Sequence, residues 1–177
     1  MRNVHYAPST GRTTEYPELS KPREESPLPT VIVPSSERVA LAWLATLPNV
    51  TSSMVASILP SDPTTWQSTG FLTAQIAGGT PAVDIPTRRP LVQVNAWCVR
   101  PGAQRPPWGQ ADSLIEQVMA GCVGSKVGRT LDVTVTAGSN TAQVRVLAAW
   151  AVGEPRRLYS DDSSYAHKSV DLRLDWV

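Results

Sequence analysis

Between Val170 and Trp176, apolar and charged residues alternate without a break. Val170, Leu172, Leu174 and Trp176 fall on one side, and Asp171, Arg173 and Asp175 on the other. A period of two is the geometry of a β-strand, whose successive side chains point to opposite faces. On a helix the same four apolar residues would be scattered around the axis. The chain must therefore build a sheet with at least one covered face, and this strand belongs to it. Chain ends usually fray, so a strand patterned this way is expected to be packed up to its last Trp. A polar turn, residues 157–165, is expected to lead into it.

The other elements follow from the same kind of pattern. Ser35 or Ser36 can cap a helix with Glu37 in its first turn, where a negative charge suits the dipole. Val39, Ala40, Trp43, Leu44 and Leu47 recur at helical spacing, and Pro48 is the expected stop. Residues 54–59 read as a short strand and 60–63 as a turn. Residues 70–77 and 90–99 read as strands, with Val92, Val94, Ala96 and Cys98 sharing a face. The stiff loop 101–109 leads to a second amphipathic helix over 110–122, striped by Ala111, Leu114, Ile115, Val118 and Cys122. Residues 130–136 and 141–152 read as a hairpin turning at 137–140. Its second strand is expected to place Val144, Val146, Ala148 and Trp150 on one face. The predicted fold class is α+β: a mainly antiparallel β-sheet with two helices packed on one face.

Residues 1–30 are different material. Pro8, Pro17, Pro22, Pro27 and Pro29 interrupt any regular element. Arg2, Arg12, Lys21 and Arg23 balance Glu15, Glu18, Glu24 and Glu25, and apolar residues are few. Such a segment cannot bury enough surface to fold alone. It is expected to be an extended or disordered N-terminal arm, with residues 31–177 as the single folded domain.

No catalytic pattern emerges. A phosphate-binding loop, a dinucleotide-binding glycine pattern, a nucleophile elbow and zinc or calcium spacings are all missing from the sequence. Asp161, Asp162, His167, Asp171 and Asp175 are the one dense set of titratable groups. A two-metal site would need them converging. Arg173 between Asp171 and Asp175 favours solvated charges or interface salt bridges instead. Cys98 and Cys122 sit in apolar contexts and read as buried, reduced hydrophobes. The expectation is no enzyme, no metal and no cofactor.

The balance of composition points towards assembly. The formal net charge is +1 and charged residues make up only 18% of the chain, while there are six Trp to one Phe. Large amphipathic rings are favoured at interfaces as well as in cores. No apolar stretch is long enough for a secretory signal or a membrane span. A soluble protein made in the cytoplasm, with no membrane partner, is expected. Residues 88–111 are locally basic, with Arg88, Arg89, Arg100 and Arg105 and no acidic residue, and Trp97 and Trp108 are interleaved. Nucleic-acid readers carry such patterns. So do protein interfaces, whose hot spots are Arg and Trp, and four Arg on a near-neutral chain favour the latter.

Three segments together resemble the tail terminator proteins of long-tailed, siphovirus-type actinobacteriophages. They are the helix through Val39-Ala40-Leu41-Ala42-Trp43-Leu44; Val92-Gln93-Val94-Asn95-Ala96-Trp97 with the loop Pro106-Pro107-Trp108-Gly109-Gln110-Ala111; and the Asp161-Asp162 turn with the alternating strand to Trp176. The match spans residues 35–177. The resemblance implies a virion protein of the tail or neck that forms a homo-hexameric ring on the tail tube. Such a ring ends tube polymerisation and joins the tail to a head-side connector or stopper protein. DNA would pass through its lumen without specific binding. The residues assigned to these contacts are Arg88, Arg89, Arg100, Arg105, Pro106, Pro107, Trp108, Asp161, Asp162 and Tyr165. The alternatives are another neck or tail component, such as a head-closure or tail-tube protein, and a small metal-dependent hydrolase or nuclease using Asp161 to Asp175.

Overall fold

A computed structural model describes residues 33–80, 85–123, 129–134, 141–159 and 164–177. The N-terminal arm, the hairpin turn at 137–140 and the Asp161-Asp162 turn lie outside them.

Helix α1, Ser36–Leu44, starts where the Ser35 side chain accepts the Arg38 backbone N–H at 3.3 Å. Val39, Ala40, Trp43 and Leu44 are buried along one face. The helix ends four residues before Pro48, and the chain unwinds through turns in which Leu47 stays buried. The strand expected over 54–59 is much shorter. Ser52–Met54 is a 3-10 turn and β1 is only Val55–Ala56. Ile58 beyond it is 79% exposed, because the chain is already turning towards Pro60 and Pro63.

The remaining elements are β2 (Phe71–Gly79), β3 (Pro90–Val99), α2 (Trp108–Gly121), β4 (Arg129–Thr134), β5 (Thr141–Ala151), β6 (Arg156–Leu158) and β7 (Tyr165–Trp176). They form one sheet in the order β1-β2-β3-β7-β5-β4, with β6 also pairing β7. Among the described strands, only β1 and β2 run parallel. Strand β7 is the spine: β3 runs along one side of it, and β5 and β6 follow one another along the other. Both helices lie on the same face. Helix α2 packs over β3 and β7, while α1 touches both β2 and β4, so the sheet curls around it.

The inward residues are those the alternation predicts. Val170, Leu172, Leu174 and Trp176 are at most 2% exposed. They meet Val92, Val94, Trp43, Leu44, Ile115 and Val118 in one core. Each fully buried aliphatic side chain contributes about 1.5–3 kcal/mol relative to exposure. Two glycines allow the layers this close. Gly70 has φ +77°, and a Cβ there would lie 2.8 Å from Cys98 Sγ. A Cβ on Gly121 would run into a methyl of Leu47, so the Leu47 side chain packs this close to the end of α2 where no side chain intervenes.

The expected face of β5 needs correction. Val144 and Val146 point into the core, but the register against β7 shifts between Val146 and Ala148. This bulge adds one residue and flips every side chain after it. Ala149 becomes the buried residue at 4%, and Trp150 turns outwards at 44% exposure, opposite Arg173. Two further elements extend beyond the sequence pattern. Strand β7 begins at Tyr165, and β6 occupies part of the expected polar turn.

Candidate protein–protein interface

The sheet's uncovered face carries two kinds of surface. Near the start of β7, the loop before β2 folds back over it. Trp66, Phe71 and Val99 form a small second core, with Trp97 and Tyr165 packed against it. Trp97 stacks on His167 with ring centroids 3.6 Å apart, and its Nε1 donates to Thr73 Oγ1 at 3.0 Å. His167 Nε2 lies 3.1 Å from Asn95 Oδ1. Burial pushes the imidazole pKa down to about 4, so this histidine is neutral at pH 7. Trp97 is thus a packing residue rather than one interleaved with a basic strip.

Further along, the uncovered face is ionic. Arg156 Nη1 meets Asp171 Oδ2 at 2.9 Å, and Arg89 Nε lies 3.5 Å from Asp175 Oδ2. Both aspartates are therefore held by arginines, and His167 is held by Trp97 and Asn95. Among the described residues, no group of three or more His, Cys, Asp or Glu is placed to hold a metal ion. Asp161 and Asp162 lie outside the described residues. Burial also raises the thiols, Cys98 to about 12 and Cys122 to about 11, which leaves them as unreactive thiols.

The basic segment 88–111 is split by β3 into two ends, roughly 30 Å apart along the strand. At one end, Arg88 exchanges backbone hydrogen bonds with Trp176 (2.8 and 3.0 Å) and holds its guanidinium 5.6 Å from the ring centroid. Val33, Ile85, Pro86, Thr87, Arg88, Trp176 and Val177 line a cavity of about 570 Å³ there.

The other end gathers most of the remaining expected contact residues. Arg100, just past β3, donates its N–H to Ser164 O at 3.1 Å, and Tyr165 follows as the first residue of β7. Arg105 and Arg100 are exposed and form no ion pair among the described residues. Half-buried Pro106 and buried Pro107 lead into α2, where Trp108 is the first residue. Proline suits this place because the first helical N–H groups have no intrahelical partner. Two residues from the expected polar turn join Trp108. Arg157 holds its guanidinium 4.9 Å from the Trp108 centroid, and Tyr159 meets the ring edge-on at 5.9 Å. Asp112, one turn into α2, pairs with Lys168 and lies 3.5 Å from Arg157 Nη2. Tyr159 remains 83% exposed.

Sequence reasoning missed Arg157 and Tyr159 because β6 is three residues long and shows no period. An Arg-Leu-Tyr run close to an aspartate-rich turn was the available signal. Chemically, this end offers two aromatic rings, the Arg157 guanidinium stacked on Trp108, an Asp112 carboxylate held by Arg157 and Lys168, and exposed Arg100 and Arg105 in the loop after β3. Aromatic rings with arginine are the composition of interface hot spots.

No protein-family profile matches the chain, and no curated protein is similar to it. One solved structure that resembles it is a chain of the "Virion of native gene transfer agent (GTA) particle". The two share 10% sequence identity over 80% of this chain and 85% of the other, with a TM-score of 0.44. A likeness that distant carries no argument about function.

Proposed function

We propose that this chain is a structural protein of a phage-type virion: the tail terminator, a six-membered ring that caps the tail tube. In this reading the ring ends tube polymerisation and presents its other surface to a head-side connector or stopper protein. It is made in the host cytoplasm and resides in the tail or neck. DNA passes through its lumen without specific binding, and no active site or cofactor takes part. The arm, residues 1–30, crosses to an adjacent subunit or ring.

The observation that carries this reading is where the family-like segments fall. They supply α1, the passage from β3 into α2, and β7. Those elements build much of the core, and Trp108 at the start of α2 is met by Arg157 of β6 and by Tyr159 just beyond it. Exposed rings and guanidinium groups at one end of the sheet support a reading in which this chain contacts another macromolecule. A ring of identical subunits needs heterologous contacts, in which one surface of a copy meets a different surface of the next. The two ends of the β3–β7 ladder differ in this way, one a cavity beside Arg88, the other the cluster at Trp108.

Electron microscopy of the purified protein, alone and mixed with tail tubes, tests the proposal. Six-fold rings, free or seated on tube ends, are expected. Open tubes of this protein alone would make it a tail-tube protein instead, and a ring of another symmetry would refute the hexamer. Metal-dependent hydrolysis of a nucleic acid by the purified chain would overturn the non-enzymatic reading.

A further inference from the structure

We infer that Ile76 of one copy of this chain fills a hole between α1, β1 and β4 of the next copy. The inference rests on the reading that the protein assembles with copies of itself.

The hole lies where the curled sheet stops short of closing. Helix α1 touches β2 near one margin of the sheet and β4 at the other. Between these margins, Leu41, Ala42 and Ala45 of α1, Val55 of β1 and Val133 of β4 surround a cavity of about 250 Å³. Arg38 and Asp132 also stand in its wall, and their charges are opposite. An apolar occupant without charge suits such a hole, because a charged one would be desolvated there with no net opposite charge to meet it.

The sheet itself points to the occupant. Ile76 pairs with Val92, which is 1% exposed, so both side chains lie on the helix side. Yet Ile76 is 40% exposed. Strand β1 ends at Ala56, opposite Thr73, and from Gln75 to Gly79 every residue of β2 is exposed. Within the described strands, Ile76, Leu147 and Trp150 are the large apolar residues left this open. Trp150 lies on the other face, opposite Arg173, and Leu147 sits in the bulge of β5. Ile76 is thus the helix-side residue at a sheet margin that its own helices leave uncovered. The run Gln75-Ile76-Ala77-Gly78-Gly79-Thr80 carries no charge, which matches the balanced wall of the hole.

Geometry makes the contact one between copies. Within one copy, Val55 at the hole stands opposite Leu72, four residues or roughly 13 Å along β2 from Ile76. Pairing with β3 holds Ile76 at that distance. When two sheets meet margin to margin, their helix sides stay on the same side, and the edge of β2 comes beside β4. Ile76 then faces α1 of the next copy. One margin gives and the other receives, which is the heterologous contact a ring needs.

The test uses the full chain carrying Ile76→Cys and Ala42→Cys together, treated with a mild oxidant, alone and on tail tubes. A ladder of disulfide-linked dimers and higher multiples is expected, mapped by mass spectrometry to positions 42 and 76. Neither single variant should give a ladder. Ile76→Lys should weaken association about tenfold or more in sedimentation, because a lysine cannot enter an apolar hole without cost. Melting of the same variant, diluted until copies are separate, should be unchanged. Ala42→Glu should weaken association in the same way, and combining it with Ile76→Lys should restore it. No multimers either alone or on tubes, a disulfide closed within single chains, a ladder from a single variant, or association indifferent to Ile76→Lys would overturn the inference. Micrographs of the same samples separate the two ideas. Six-fold rings without links between positions 42 and 76 sink this contact and leave the ring reading. Linked multimers without rings keep the contact and sink the hexamer.

Discussion

The two faces of β7 are made from the same twelve residues, yet they are held by different physics. On the helix side, Val170, Leu172, Leu174 and Trp176 are buried among apolar neighbours from both helices and from β3. On the other side, Asp171, Arg173 and Asp175 stay partly solvated, and the pairs with Arg156 and Arg89 lie at the surface. Only near Tyr165 and His167 does the second face become a core, roofed by the loop that carries Trp66. Apolar burial fixes the fold, while the open face beyond that roof carries surface ion pairs.

The sharpest way to break this comparison is Leu174→Asp. It would bury an unpaired carboxylate, and soluble folding should be lost, as expression and solubility assays would show. A well-folded Leu174→Asp protein would remove the argument for the helix-side core. Next in size is a contrast within the open face. Trp97→Ala should cost about 3–5 kcal/mol in chemical denaturation. Trp150→Ala, on the same face but 44% exposed, should stay within about 0.5 kcal/mol. Equal effects would mean that the roof over Trp97 has no structural weight. Trp108→Ala should cost roughly 2–4 kcal/mol, divided between stability and association. Unchanged melting and unchanged association between copies together would strip the cluster of its proposed role.

The pH dependence is smaller and has a definite sign. His167 has a folded pKa of about 4, against 6.5 for the free group. Below pH 6.5 the unfolded chain takes up a proton that the folded chain refuses, so stability falls as pH drops towards 4 and then levels off. His167→Gln should flatten the melting temperature in that window. An unchanged slope would assign the pH effect to other groups. The smallest effect belongs to Asp171→Asn. It loosens a surface ion pair with Arg156, and thermal unfolding should change by less than about 1 kcal/mol.

Much of the fold was legible because burial imposes periodicity. Strand β3 keeps its expected bounds, and the inward sets of β3 and β7 are those the spacing marks, as is that of α2 apart from Cys122, which lies half-buried just past the helix end. What escaped was set by tertiary fit. The bulge in β5 has no local signature, since its extra residue is defined only against β7, and it sent Trp150 to the other face. The ends of β7 and β6 are polar and owe their extended form to neighbouring strands. Among the expected contact residues, Arg100, Arg105, Pro106, Pro107, Trp108 and Tyr165 are gathered at one end because a loop and a strand start converge there. Arg88 and Arg89 are close to them in sequence but a full strand away in space. Arg157 and Tyr159 could not be assigned without knowing that β6 lies beside α2.

The central place of β7 also bears on how the molecule is made. Among the described strands it is the last of the seven to be synthesised, and among them it alone joins β3 on one side to β5 and β6 on the other. Until its residues have left the ribosome, the two halves of the sheet have no partner and expose open strand edges. Long-range pairing of this kind is slow, and open edges invite misassociation meanwhile. A chain interrupted before β7 would therefore be unable to close its sheet, and its open edges would be free to pair with other chains.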